Sequence, residues 1–363
     1  MGLSSGDMLK FDQGLTSSGG YTEVHIELKT LPNHGQYCCG TKEALVGFGN
    51  FGEIGPLDEN LQPRNFTWLQ KADLLFVDSP VATGFSYVED ESLVVKTDYK
   101  AAVDLTTLLV ELFNGDGSLQ KSPLYIFAES YGGKFASALG VTALESIEAG
   151  KLKAQLGGVA LGDSWISPED FVFSWGPVLK VMSRIDEIGL NQSDSLALKI
   201  QQELAEGKSK DATGTWYDLE QVILQYSNNV DFYNFMLDDM SDSAAVKESR
   251  IRSNRYMERT STGAGAANSV LGNLMNGPIR KKLEIIPDNV TWQGQGGLVF
   301  PAFHGEFMKP RIEEVRISPT TSRCTSCSLA SDCFCLHIIS FGRLPNSAAG
   351  SHMCNKRNRS MAQ

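Results

Sequence analysis

No stretch of this sequence stays apolar for the roughly 20 residues that a membrane-spanning helix needs. The N-terminus, MGLSSGDMLKFDQGLTSSGG, has neither the basic start nor the apolar run of a secretory leader. The sequence reading is therefore a protein with no membrane partner and no visible signal peptide. An excess of basic residues is missing as well: 32 Lys and Arg against 43 Asp and Glu leave a net charge of −11. That sign disfavours nonspecific binding to nucleic acid and to anionic lipid, so a small molecule or a peptide is the better default partner. Between Cys39 and Cys324 there is no cysteine at all. The long central stretch cannot be stapled by disulfides and must hold itself by burial. No internal repeat is present.

What is present from Gly47 onward is an alternation of two patterns. Short apolar runs without polar interruption stand at Leu74–Val77, Leu124–Phe127 and Gly158–Leu161, as in strands of a parallel sheet covered on both faces. Between the first two, Asp98–Phe113 carries Ala101, Ala102, Leu105, Leu108, Leu109 and Leu112 at helical spacing, and Lys134–Ala149 does the same between the second and third. Strand, helix, strand, helix, strand predicts a doubly wound α/β sheet. Residues 180–275 are helical and polar without a convincing strand, and predict an insertion above that sheet. Residues 1–46 are rich in Gly and Ser, with one brief alternation at Tyr21–Leu28 that suits a strand. Residues 276–310 are assigned to the core, and 311–363 to an unrelated, disordered tail of Arg, Ser and Cys.

Chemistry concentrates at Tyr125–Gly133, where a strand enters, Ser130 follows two residues after Ala128 and two before Gly132, and a helix leaves. This is the layout of a nucleophile elbow, in which a tight turn thrusts a serine out between a strand end and the positive end of a helix. The first small position is Ala where Gly is usual. A turn in which Ser130 only caps the helix is the plainer alternative.

The run AESYGGK at 128–134, preceded by PLYIF, resembles the serine-bearing motif of the serine carboxypeptidases (peptidase family S10). Three further segments match that family in order. GNFGEIGPL at 49–57 is similar to its E-x-G-P segment, TWLQKADLLFVDSPVATGFSY at 67–87 to its D-x-P segment, and GVALGDSWISP at 158–168 to the strand and loop after the nucleophile helix. The wording of the middle two of these four motifs, and of MNGPIRKKLEIIPDNVTW at 275–292, is most similar to an animal branch of the family; the likeness covers roughly 47–310. The resemblance implies an α/β-hydrolase: a mostly parallel sheet with helices on both faces and a helical insertion, here truncated at both ends. It implies a serine-type exopeptidase with Ser130 as nucleophile, the backbone N–H of Tyr131 as an oxyanion donor, and no cofactor or metal. Glu53 and Glu129 would form a carboxyl pair sharing a proton and holding the C-terminal carboxylate of a peptide substrate, with Tyr87 near the pocket. Asp78 and Pro80 would shape the turn after their strand, Asp163 would be structural, and Trp68 and Trp165 would be core aromatics. A secreted or lysosomal location is also implied. Sequons at Asn65, Asn191, Asn289 and Asn358 point weakly the same way.

Three departures from the family pattern set up an alternative. QYCCGTKEALVG stands where the family has a Gly-Gly-Pro segment supplying a second oxyanion N–H, and no counterpart of the triad Asp and His follows FMKP at 307–310. His304, His337, His352 and Asp332 are poor replacements. The alternative is a catalytically inactive homologue or truncated isoform that binds without cleaving. The tail pattern Cys324, Cys327, Cys333, Cys335 with His337 is too closely spaced to argue for zinc. If later strands are missing, an exposed sheet edge invites association with another chain.

Overall fold

The computed structural model describes residues 47–232, 234–238 and 270–315 with their side chains, and the backbone alone of 8–10, 14–15, 21–22, 24–27, 37–40, 316 and 336–340. Its centre is a seven-stranded mixed sheet. In chain order the strands of that sheet are β1 (Met8–Lys10), β4 (Val24–Glu27), β5 (Tyr37–Gly40), β6 (Asp73–Val77), β7 (Pro123–Glu129), β8 (Gln155–Gly162) and β11 (Leu336–Ser340); β2 (Gly14–Leu15) and β3 (Tyr21–Thr22) form a separate ribbon. The spatial order is β1-β4-β6-β5-β7-β8-β11. The four central strands are parallel, and β1, β4 and β11 add antiparallel flanks.

The reason the predicted runs lack polar alternation is visible on β6. Leu75 and Val77 join the cluster beneath helices α1 (Asp98–Gly115) and α2 (Gly132–Glu148), while Leu74 and Phe76 join another with Phe85, Tyr87, Met275 and Trp292. Successive side chains point to opposite faces, and both faces are covered. Helix α1 starts where Thr97 accepts a hydrogen bond from Lys100 N at 3.2 Å, a capping arrangement that satisfies one orphan donor. It lies against α2, and the two are stitched by a buried contact of 2.7 Å between the hydroxyls of Thr106 and Thr142.

The helical layer begins earlier than its sequence pattern suggested. Helices α3 (Pro168–Val181), α4 (Glu187–Ala205) and α5 (Ser209–Tyr226) are followed by a hairpin, β9 (Val230–Asp231) with β10 (Asn234–Asp238). That hairpin corrects the reading of 180–275 as free of strands; β9 has only two residues, too few to show a period. The helical layer is closed by Val172, Ile200, Trp216, Leu219 and Ile223 packing with Phe300 and Phe307 from the returning chain. Short helices α6 (Val270–Leu274), α7 (Arg280–Leu283), α8 (Val299–Phe303) and α9 (Ile312–Arg316) complete the described residues.

Two further expectations change. The stretch from 311 was read as a disordered tail on composition, yet Arg311 N donates to Ile166 O at 2.8 Å and α9 and β11 lie within it. The edge of β8 expected to be bare is paired with β11, Leu336 opposite Gly162 through Ser340 opposite Gly158. Cys324, Cys327, Asp332, Cys333, Cys335 and His352 lie outside the described residues, and His337 is described in its backbone only.

Leu139 is fully buried in the cluster between α2 and the sheet. Leu139→Ala is expected to lower the unfolding free energy by about 2–5 kcal/mol, read as a lower urea midpoint at unchanged m-value; a loss under about 1 kcal/mol would show that this interface is loosely packed.

Candidate active site

The last residue of β7 is Glu129, the first of α2 is Gly132, and the chain reverses between them at Ser130, whose φ is +55°. Few non-glycine residues adopt this left-handed region, and those that do are held there by their surroundings. Here the holding groups are backbone. Ser130 N donates to Gly162 O at 3.0 Å, while Ser130 O accepts from Gly133 N at 3.1 Å and Trp165 N at 2.9 Å. The elbow is thus tied on both sides to the end of β8 and the loop after it, where Asp163 is itself at φ +40°. Ser130 is half-buried at the mouth of α2.

The small residue that matters most is one the sequence reading did not single out. A Cβ added at Gly133 would lie 2.1 Å from Ser164 Oγ and 2.2 Å from Ser164 Cβ, so the loop after β8 can approach the first turn of α2 only because that side chain is absent. Pattern reading pointed to 128 and 132, the usual neighbours, because a crossing loop leaves no mark on local sequence.

Tyr131 is fixed from several directions. Its ring stacks on Phe307 at 5.6 Å between centroids and meets Phe135 edge-on at 5.2 Å, and its hydroxyl donates to Asp98 Oδ1 at 2.8 Å. Burial, with Asp98 beside it, holds that hydroxyl well above the ordinary tyrosine range. Below the ring lies a buried set of charges. Lys134 Nζ donates to the carbonyls of Glu306 at 2.6 Å and Phe307 at 3.1 Å, stands 3.4 Å from Asp98 Oδ2, and lies 4.8 Å from the centre of the Tyr131 ring. Arg311 Nε donates to Asp98 Oδ2 at 2.8 Å and its guanidinium also pairs with Glu306. Burial is the largest influence on Lys134, which is lowered to about 8 despite Asp98. Lys134 closes the AESYGGK run at 128–134 but no role is assigned to it from the sequence, and Asp98, Glu306 and Arg311 are distant from it in the chain and share no local pattern with it.

Glu53 ends the wide helical turn Phe48–Glu53 and is exposed, with its carbonyl accepting from Arg64 Nη1 at 3.1 Å. Glu129 is half-buried beside Ser130. Tyr87 is buried, in one cluster with Phe51 of the Glu53 turn. Asp78 is fully buried, accepting from Phe85 N at 2.9 Å while its carbonyl accepts from Ser86 Oγ at 2.6 Å, in a loop that contains a cis Ser79–Pro80 bond. Trp165 is half-buried and packed against the core of the helical layer, its ring 5.4 Å from Phe171 and 5.5 Å from Phe307. Trp68 is not a core aromatic: it is 42% exposed and lies edge-on to Phe127 at 4.9 Å, because the short turn that carries it runs along the surface rather than into the sheet. His304 sits beside Tyr217, its basicity lowered by burial and by Lys210. Among the described residues, no hydrogen bond joins the Ser130 hydroxyl to an imidazole or a carboxylate. No group of three or more His, Cys, Asp or Glu among them is placed to hold a metal, and no described helix is long and apolar enough to cross a membrane.

A parallel central sheet with a positive-φ serine between a strand and a helix defines an α/β-hydrolase. The solved structure of the prohormone-processing carboxypeptidase Kex1 from Saccharomyces cerevisiae shares the fold, with a TM-score of 0.63 at 17% identity over 82% of this chain and 66% of that one. The sequence profile of the serine carboxypeptidase family, Peptidase_S10, matches residues 45–323, and the chain belongs to that family. The match runs past residue 310, where the resemblance had been taken to end. Serine carboxypeptidase-like 51 of Arabidopsis thaliana is 52% identical over 282 residues, 74% of this chain and 61% of that protein. Human retinoid-inducible serine carboxypeptidase, of the animal branch that the motif wording indicated, is 43% identical over 286 residues, 76% of this chain and 61% of its own length. The chain therefore spans about three fifths of these relatives.

Gly133→Ala is expected to cost about 1–3 kcal/mol, because a methyl group must displace the Ser164 loop, with a lower melting temperature as the readout; an unchanged melt would show that this loop yields freely. Lys134 makes a separate prediction. With its folded value near 8 and its ordinary value 10.5, the unfolded chain binds more protons across that interval, so this residue makes stability rise as pH climbs from 8 toward 10.5. Tyr131 acts oppositely above its ordinary value of 10.0, since the unfolded tyrosine ionises and the buried one does not. Comparing urea midpoints from pH 7.5 to 10, wild type should gain on Lys134→Met; parallel profiles would contradict the assignment.

Proposed function

We propose that this chain carries the nucleophile of a serine carboxypeptidase, releasing C-terminal amino acids from peptides through an acyl-enzyme on Ser130. The observation that supports this reading most directly is the positive-φ Ser130 at the junction of β7 and α2, in a chain that belongs to the serine carboxypeptidase family. In the first step the Ser130 Oγ adds to the carbonyl carbon of the last peptide bond as its proton passes to a base. The tetrahedral intermediate then breaks the C–N bond, and the leaving amine takes a proton and departs as the free C-terminal residue. Water then adds to the ester carbonyl carbon, the bond between it and Ser130 Oγ breaks, the oxygen regains a proton, and the shortened peptide leaves as its carboxylic acid. The N–H of Tyr131, next after the nucleophile, is the oxyanion donor in this scheme.

Glu53 and Glu129 are assigned to the substrate's terminal carboxylate. Tyr87 backs the Glu53 turn, since its ring shares a cluster with Phe51. The substrates are peptides with a free C-terminus. A secreted or lysosomal location goes with this reading, supported by the exposure of Asn65, Asn191 and Asn289 at three sequons.

The test is labelling of the full chain with a fluorophosphonate and assay of C-terminal release. Ser130 should react and Ser130→Ala should abolish both signals. Glu129→Ala, which removes the hydrogen-bonding group, should weaken binding of free-acid peptides roughly tenfold or more, the worth of a charge-assisted hydrogen bond, with little effect on esters that lack the terminal carboxylate. A folded chain that neither labels nor releases amino acids, yet binds such peptides, would return the alternative of a homologue that binds without turnover.

A further inference from the structure

Lys134 occupies an unfavourable place. It stands in the first turn of α2, where the free N–H groups already create positive potential and a cation is disfavoured, and it is fully buried. Apolar side chains in place of the whole charged set would avoid both costs, and buried ion sets are commonly replaceable in that way with no loss of stability or a gain, whereas removal of one member alone leaves its partners unpaired. What the ammonium does there is visible in its contacts. It bonds the carbonyls of Glu306 and Phe307, faces Asp98 and lies over the Tyr131 ring. Asp98, fully buried in the first turn of α1, takes the Tyr131 hydroxyl with Oδ1 and Arg311 with Oδ2. Packing against Phe307, Phe135 and Phe303 already encloses the ring. Aromatic contacts, however, let a ring slide or turn at small cost, whereas a hydroxyl bonded to a buried carboxylate fixes both reach and rotation. Two carboxylates, Asp98 and Glu306, and two cations, Lys134 and Arg311, thus meet from three separated parts of the chain around the residue that follows the nucleophile.

We propose that Asp98 and Lys134 are positioning residues that hold Tyr131, by its hydroxyl and its ring face, so that its backbone N–H keeps a fixed direction beside Ser130. The task of that N–H as oxyanion donor rests on the carboxypeptidase reading above; the restraint on the elbow does not. The arrangement trades stability for rigidity at the reacting end of the helix, a trade found where a site must be pre-organised.

The full chain is tested as Lys134→Met, Asp98→Asn and Tyr131→Phe, with three readouts: thermal melting, amide hydrogen exchange of the segment 128–135 by mass spectrometry, and the rate of fluorophosphonate labelling. Lys134→Met, which leaves Asp98 and two carbonyls without one partner, should melt lower, and exchange in the elbow should quicken about tenfold while labelling slows by a similar factor. Tyr131→Phe, which removes one oxygen, should move exchange and labelling the same way. It decides the matter by those two readouts if Lys134→Met does not fold. Asp98→Asn, which keeps an acceptor, should show a smaller effect. A Lys134→Met protein that melts lower with elbow exchange unchanged would overturn the proposal, leaving an ordinary structural ion pair. A wild-type chain that does not label, but whose elbow exchange quickens in Lys134→Met, would support the positioning role and count against the carboxypeptidase reading.

Discussion

One constraint underlies the site: a serine backbone bent into the left-handed region and kept there by hydrogen bonds from a neighbouring strand. Ser130 at φ +55° is joined to Gly162 on one side and Trp165 on the other. An isolated L-residue relaxes out of that conformation, at a gain of order 1–3 kcal/mol. It persists because β7 and β8 are already locked in parallel register, Glu129 opposite Gly162, and because the bare face of Gly133 lets the Ser164 loop close over the turn. The strained residue is therefore a consequence of the sheet, and the sheet in turn depends on apolar burial on both of its faces.

The second layer of support is ionic, and costs more. Asp98, Lys134 and Glu306 are all buried, and Arg311 closes the set. In a low-dielectric interior such groups hold together only when every member is partnered, and removing one leaves a charge exposed to that environment. The same set decides how the returning chain meets the sheet. Glu306 and Phe307 are held through their carbonyls by Lys134, and the backbone of Arg311 by Ile166. The aromatic cluster of Tyr131, Trp165, Trp216 and Phe307 then joins the helical layer to the elbow.

Legibility in the sequence followed locality. The central strands β6, β7 and β8 and helices α1 and α2 could be read because hydrophobic period reports local geometry, and the elbow because strand, small residue, serine, small residue and helix are contiguous. Strand β5, Tyr37–Gly40, was passed over although it lies between β6 and β7. Four residues with two cysteines carry no period, and only pairing with both neighbours makes them a strand. Trp68 was misjudged for a related reason: a tryptophan beside an apolar strand has the composition of a core and, here, the position of a surface turn.

The amino-acid sequence by itself determined the order of strands and helices about Ser130, the turn in which that serine stands, and the family, since each is written in adjacent residues. The tertiary structure alone decided which glycine gives way to a crossing loop, that β8 is covered by β11, and that Asp98, Lys134, Glu306 and Arg311 share one buried site. Those outcomes are set by distances between segments far apart in the chain. Such distances arise only when competing burials are resolved together, so no local pattern of residues encodes them.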